Sequence, residues 1–244
     1  MRTLLLVCAG MAVGALVASA QQPFSYPLDS PNGLRLQNVI AQPAELLGKK
    51  GLFVTMADEA LSRLKALPRE QRELALRTEP VEQLAVIDGL SFGNGVIEVE
   101  LAGVPDTSVF EGARAFVGVA FRLQNDLRTY DAFYLRPTNG RADDQVRRNH
   151  SVQYISHPSF TWFRLRTESP EKYESYVDLV PGEWTAIRIE VHGTRATLSV
   201  HGQAQPTLVV NDLKTGANAK GAIALWLDVG TRAHFRNLRV TQAD

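Results

Sequence analysis

Beyond Glu82, apolar and polar residues alternate over most of the chain, the period of strands with one face in a core and one in water. Val96-Ile97-Glu98-Val99-Glu100-Leu101 alternates aliphatic and acidic side chains strictly. Val117, Val119, Phe121 and Leu123 share one side of the next run; Gly118, Ala120, Arg122 and Gln124 share the other. After that, Phe133 and Leu135 oppose Tyr134 and Arg136. Further strands are predicted over 185–191, 195–200, 208–210, 222–227 and 233–240, with turns at Gly193-Thr194, Gly202 and Gly216. Many short strands with closely spaced turns predict an all-β sandwich or barrel.

Upstream the pattern is mixed. Residues 21–33 hold three prolines and an Asn-Gly and read as an extended lead-in with a turn, followed by strands near Leu34–Val39 and over 52–55. Residues 58–76 break the strand period. Leu61, Leu64 and Leu67 fall on one helical face, Glu59 and Arg63 stand four apart, and Pro68 suits the start of a second short helix. A helical insertion is expected there, covering one end of the sandwich. No repeat or low-complexity linker divides 21–244, which is read as one domain.

The start of the chain changes the address. Arg2, an apolar run from Leu4 to Val17 and Ala18-Ser19-Ala20 together form a secretory signal with cleavage before Gln21. The expected destination is the periplasm or the extracellular space. Cleavage removes Cys8, the only cysteine, so disulfides play no part in the exported protein. No later stretch approaches the ~20 apolar residues of a membrane span. Basic and acidic residues number 26 each. A balance this close supplies no long-range field for nucleic acid or anionic lipid, and neither is an expected partner.

The second half carries a family resemblance. Pro181-Gly182-Glu183-Trp184 opens a strand that contains Arg188-Ile189-Glu190-Val191 and ends in a polar hairpin at Gly193. Gly221-Ala222-Ile223-Ala224-Leu225 and Phe235-Arg236-Asn237-Leu238-Arg239-Val240 follow. Together these resemble concanavalin A-like jelly rolls and, more narrowly, the bacterial 3-keto-disaccharide hydrolase domains, from about Gly95 to Val240. The resemblance implies a two-sheet antiparallel jelly-roll sandwich in an exported, carbohydrate-related protein. Its motifs are mostly turn and core residues, so it carries a fold further than an activity.

Candidate chemistry lies on one strand face and in one connection. Subtracting the core-facing set leaves Glu98, Glu100, Arg122, Gln124, Tyr134 and Arg136, donors, acceptors and a ring of the kind that binds sugar hydroxyls. The equally simple alternative is a wet face of cross-strand ion pairs. The segment after Arg136 adds Asn139, Arg141, His150, Gln153, Tyr154, Trp162 and Arg164, with Tyr134 and Arg136 the expected centre of ligand contact. Arg136, followed by Pro137, is expected at an exposed rim. Glu98, Glu100 and His150 are the candidate catalytic acids and bases. His150 and His157 with Asp143, Asp144 or Glu174 could hold a divalent metal such as calcium, although no compact ligand spacing is present.

Three functions remain open at this point. The first is a lectin-like module that binds glycans or glycosides. The second is an enzyme that cleaves 3-keto-glycosides by base-initiated elimination, as the resemblance implies. The third is a structural or adhesion module without a small ligand. A base facing a pocket that also holds an arginine or a metal favours the enzyme, and an open aromatic groove favours the lectin.

Overall fold

The structure, a computed structural model, describes residues 23–78, 81–109 and 111–243. The expected signal segment lies outside them. Among the described residues the strands form two antiparallel sheets, the jelly roll expected from the sequence.

One sheet runs in the order β13 (Leu208–Val210), β12 (Arg195–Val200), β11 (Thr185–His192), β6 (Asn94–Pro105), β15 (Thr231–Ala243), β4 (Lys49–Met56), β3 (Val39–Leu46), with β1 (Phe24–Tyr26) also on β15. The other runs β10 (Glu174–Ser175), β9 (Val152–His157), β8 (Tyr130–Leu135), β7 (Val117–Leu123), β14 (Ala222–Leu227), β5 (Leu84–Ile87), β2 (Leu34–Gln37). Ile97, Val99 and Leu101 of the first sheet and Val119, Phe121 and Phe133 of the second join one buried cluster, in which Phe121 and Phe133 stack 6.1 Å apart.

The two sheets differ on their outer faces. In β11 the burial alternates strictly, with Ile187, Ile189 and Val191 inside and Arg188, Glu190 and His192 outside. In β7, β8 and β9 every residue is buried. Something therefore covers the outer face of the second sheet: α2 (Arg69–Thr78), which follows α1 (Asp58–Ala66), the 137–150 segment with α3 (Gln145–Asn149), and α4 (Trp162–Glu168). The helical insertion occurs where the sequence places it. Ala60 and Leu64 of α1 pack on Met56 and Val229 in a small second core, with Leu76 of α2 against it. No helix among the described residues is long and apolar enough to cross a membrane.

Two strand-level expectations are corrected. Glu98 and Glu100 were grouped with Arg122, Tyr134 and Arg136, but β6 belongs to the opposite sheet. Alternation identifies which side chains share a side of a strand and is silent on which sheet the strand joins. Arg122 leaves its expected face because β7 bulges: Leu123 pairs with Ala222 and Ala120 with Ala224, so three steps oppose two. Arg122 takes the bulge with φ 56° and turns into the end of the sandwich.

Candidate active site

The floor of the site is a lateral row across the second sheet. Register places Glu174, Gln153, Tyr134, Gly118 and Trp226 side by side on five strands. Gly118 is required there. A Cβ at this position would lie 2.2 Å from the Phe133 carbonyl oxygen and 2.5 Å from Tyr134 Cβ. Without one, the Tyr134 and Trp226 rings close over β7 to a centroid distance of 4.7 Å. Burial pushes the Tyr134 hydroxyl up to about 12, against the opposing pull of Arg136, so it stays a hydrogen-bonding phenol.

Arg136, just past the end of β8, lays its guanidinium against this row. Its Nη2 donates to Tyr134 Oη at 2.7 Å and to Gln153 Oε1 at 2.6 Å; its Nη1 donates to Glu174 Oε1 at 2.9 Å and to the His150 carbonyl at 3.3 Å. The side chain is 3 % exposed, so the expected exposed rim is a buried brace. The reason is α4, which sets Trp162 over the guanidinium at 6.0 Å while Phe116 covers it at 5.1 Å. Arg166 of the same helix donates through Nε to Glu174 Oε2 at 3.1 Å and through Nη2 to Oε1. Burial raises the Glu174 carboxyl, but the Arg166 hydrogen bonds and the Arg136 and Arg166 charges outweigh it, and the net position is below the usual carboxylate range.

Above this brace opens a cavity of about 700 Å³. One wall is Arg136, Asn139, Asp144, Val146, Arg147 and His150; another is Trp162 and Arg166 of α4. The insertion supplies Glu73, Leu76 and Arg77, and Gly112, Arg114, Phe116, Asp228 and Val229 complete the lining. His150 is half-buried, and its Nε2 lies 3.5 Å from Glu174 Oε2. Desolvation lowers the imidazole pKa, and the Arg166 and Arg136 charges lower it further against the pull of Glu174, so at neutral pH the ring is an unprotonated base. A carboxylate beside Nε2 favours the Nε2–H tautomer and leaves Nδ1 as the basic nitrogen. Asp228 has the opposite bias: burial raises its carboxyl above the ordinary range despite Arg136 and His157. A base whose pKa is lowered and an acid whose pKa is raised share a cavity, the pattern that divides acid and base roles.

A second buried network lies on the same sheet. Tyr130 Oη donates to Glu82, lies 2.7 Å from His157 Nδ1 and accepts from Trp226 Nε1 at 3.0 Å, while His157 Nδ1 is also 2.9 Å from Glu82 Oε1. His157 is thus engaged apart from His150. Among the described residues no group of three or more His, Cys, Asp and Glu side chains is arranged to hold a metal ion.

The sequence candidates divide clearly. Arg136, Asn139, His150 and Trp162 line the cavity, and Tyr134 and Gln153 support Arg136 from below. The others are elsewhere. Glu98 faces Arg188 at 3.9 Å, and Glu100 accepts from Asn237 at 2.7 Å and lies 3.3 Å from Arg236, both on the other sheet. Arg122 is fully buried and donates to the carbonyls of Gly93, Gly193 and Gly216. Tyr154 pairs with Phe133 on the core-facing side and donates to Asp131 at 2.6 Å. Arg141 forms an exposed fork with Asp178, and Arg164 pairs with Glu168 at 2.8 Å. Arg77, Arg114 and Asp228 were missed. The one signal for Asp228 was its place directly after an unbroken apolar strand, Ala222–Leu227, whose two buried faces imply cover on both sides.

Fold and site together define a concanavalin A-like jelly roll with a cavity on one outer sheet face. The carbohydrate-binding module CBM66 from Bacillus subtilis superposes with a TM-score of 0.51 at 9% identity, covering 85% of this chain and 98% of that one. The Crh5 transglycosylase in complex with NAG superposes with a TM-score of 0.52 at 11% identity, covering 92% and 86%. At such identities the likeness is one of fold. No curated protein matches the chain significantly by sequence. Residues 78–241 match the 3-keto-alpha-glucoside-1,2-lyase-like domain, and the chain belongs to that family.

Proposed function

We propose that the cavity binds a glycoside oxidised at C3 and cleaves it by elimination. The observation that carries this reading is His150, an imidazole kept neutral in the cavity wall, beside a fixed carboxylate and among guanidinium groups. A C3 ketone acidifies the neighbouring C2–H. His150 takes that proton, Glu174 stabilises the resulting imidazolium, and the electron pair moves onto the C3 oxygen as an enolate. Arg166, with no hydrogen-bond partner for Nη1 among the described residues, offers positive charge to that oxygen. The enolate then returns to the ketone, the C1=C2 bond forms, and the C1 substituent leaves with a proton from Asp228. Arg136 positions the other groups, since both its terminal nitrogens are engaged.

A second reading, lectin-like binding without cleavage, is favoured by the Trp162 ring in the cavity wall, a flat platform of the kind sugars stack on. Incubation with 3-keto-glucosides separates the two. Aglycone release that disappears in His150→Gln supports the lyase. Binding without release supports the lectin, and neither result leaves a structural or adhesion role. Action outside the cytoplasm, on glycans or glycosides of the periplasm or cell surface, belongs to the same proposal and rests on the N-terminal sequence pattern. An intact mass of the exported protein that begins at Gln21 is the expected check.

A further inference from the structure

The charges around the cavity do not balance. Arg136 and Arg166 share Glu174. Arg77, Arg114 and Arg147 also line the cavity, and among the described residues none of the three has a carboxylate within ion-pair distance. Arg147 is held only by neutral groups: Nε donates to Asn139 Oδ1 at 2.9 Å, and Nη2 to the Thr138 carbonyl at 3.2 Å and hydroxyl at 3.1 Å. None of the lining carboxylates forms an ion pair with these three arginines, and only Glu73 is paired with another cation. Glu73 pairs with Arg69 at 3.0 Å, Asp144 caps α3 through the Arg147 amide at 3.1 Å, and Asp228 accepts from the Val229 amide at 2.8 Å.

These cations sense one another. The Arg114 guanidinium is depressed first by desolvation and then by the charges of Arg147, Arg136 and Arg166. Like charges held together in a partly desolvated space cost free energy unless a counter-charge enters. The chain as a whole is neutral, with 26 basic and 26 acidic residues, so the surplus is local to this cavity. Nothing neutral in a plain keto-sugar requires it. Guanidinium forks instead match the planar or tetrahedral oxygens of carboxylate, sulfate and phosphate.

We propose that the ligand of this cavity carries an oxyanionic substituent, received by Arg77, Arg114 and Arg147, while Trp162, Phe116 and Leu76 contact its apolar surface. This rests on the reading that the cavity is the glycoside site, and it narrows the substrate class to acidic glycosides. Arg147, fixed by three hydrogen bonds, is the preformed half of the subsite; Arg77 and Arg114, without such bonds, close on the ligand.

The test uses the whole mature protein and defined probes: glucose, glucuronate, glucose 6-sulfate and glucose 6-phosphate, titrated by calorimetry at low and high salt. Neutral 3-keto-glucoside turnover is measured in parallel. The expected result is binding of at least one acidic sugar with glucose far weaker, and weakening by salt. Arg77→Gln and Arg114→Gln should each reduce that affinity by about tenfold, the worth of a charge-assisted hydrogen bond. Both side chains lack hydrogen bonds that hold the fold, so an unchanged melt in these variants guards against misfolding. The three acidic probes identify the kind of oxyanion. Glucose binding as tightly as every acidic sugar overturns the proposal, as does unchanged acidic-sugar affinity in the double variant. Acidic-sugar binding without turnover leaves the anion subsite standing and removes the lyase. Neutral turnover without acidic-sugar binding does the reverse.

Discussion

Arg136 and Glu174 meet across β9: Nη1 lies 2.9 Å from Oε1, and each side chain is 3 % exposed. Arg136 follows the end of β8 and Glu174 opens the two-residue β10, so this ion pair fastens the polar 137–150 segment to the edge of the sheet. Gln153, on the strand between them, takes the other guanidinium nitrogen at 2.6 Å.

Breaking that pair should show first in stability. Removing one partner of a buried ion pair leaves the other charge uncompensated, at a cost of roughly 3–5 kcal/mol. Arg136→Ala and Glu174→Gln are therefore each expected to lower the melting temperature well beyond the ~0.5 kcal/mol of an ordinary surface change. Thermal unfolding of the two variants and of the double variant checks this. If both single variants melt like the parent protein, the pair is not a structural brace.

Acid should act on the site and on the fold in the same direction. His150 and Glu174 both have folded pKa values below their ordinary ones. On acidification the unfolded chain takes up these protons before the folded one. Their stabilisation is present above the unfolded values, about 6.5 and 4.3, and is lost as pH falls through the lower folded values. His234, lowered by burial and then by Arg232, adds the same sign. Denaturant midpoints are thus expected to drop as pH falls through the imidazole range, with Asp131 and Asp228, whose carboxyls burial raises, opposing the loss at lower pH, and aglycone release to rise with pH to a midpoint under 6.5. An activity midpoint above 6.5 would contradict His150 as the base.

The helical insertion is expected to matter more to ligand than to fold. Glu73, Leu76 and Arg77 form a cavity wall, while the main cluster between the sheets contains no residue of α1 or α2. Replacing residues 58–76 by a short Gly/Ser linker should leave one cooperative melt at a modestly lower temperature, since Met56 and Val229 lose the cover of Ala60 and Leu64. Glycoside binding should fall sharply. Undiminished binding would show that α2 is no part of the site.

How much was legible in the chain depended on which faces are wet. β6 and β11 could be read from alternation because one side of each meets solvent. The site sheet could not be read in this way, because α4 and the insertion bury its outer face and Tyr134, Arg136 and Trp226 sit under cover. His150 and Arg136 were legible as part of a dense polar segment. Glu98 and Glu100 were misplaced because strand periodicity carries no sheet assignment, and Arg122 because one bulge reverses the alternation that located it. Arg114 and Asp228 reach the cavity from separate connections, a convergence no local pattern encodes.

The cavity's floor and its walls differ in how much change they tolerate. The floor is a hydrogen-bonded lattice in which even a methyl group at position 118 collides with its neighbours. The walls come from connections, where insertion and exchange are tolerated. Exchange of α2 or the α3 segment would thus change what the cavity accepts while the Tyr134–Trp226 pavement beneath stayed in place.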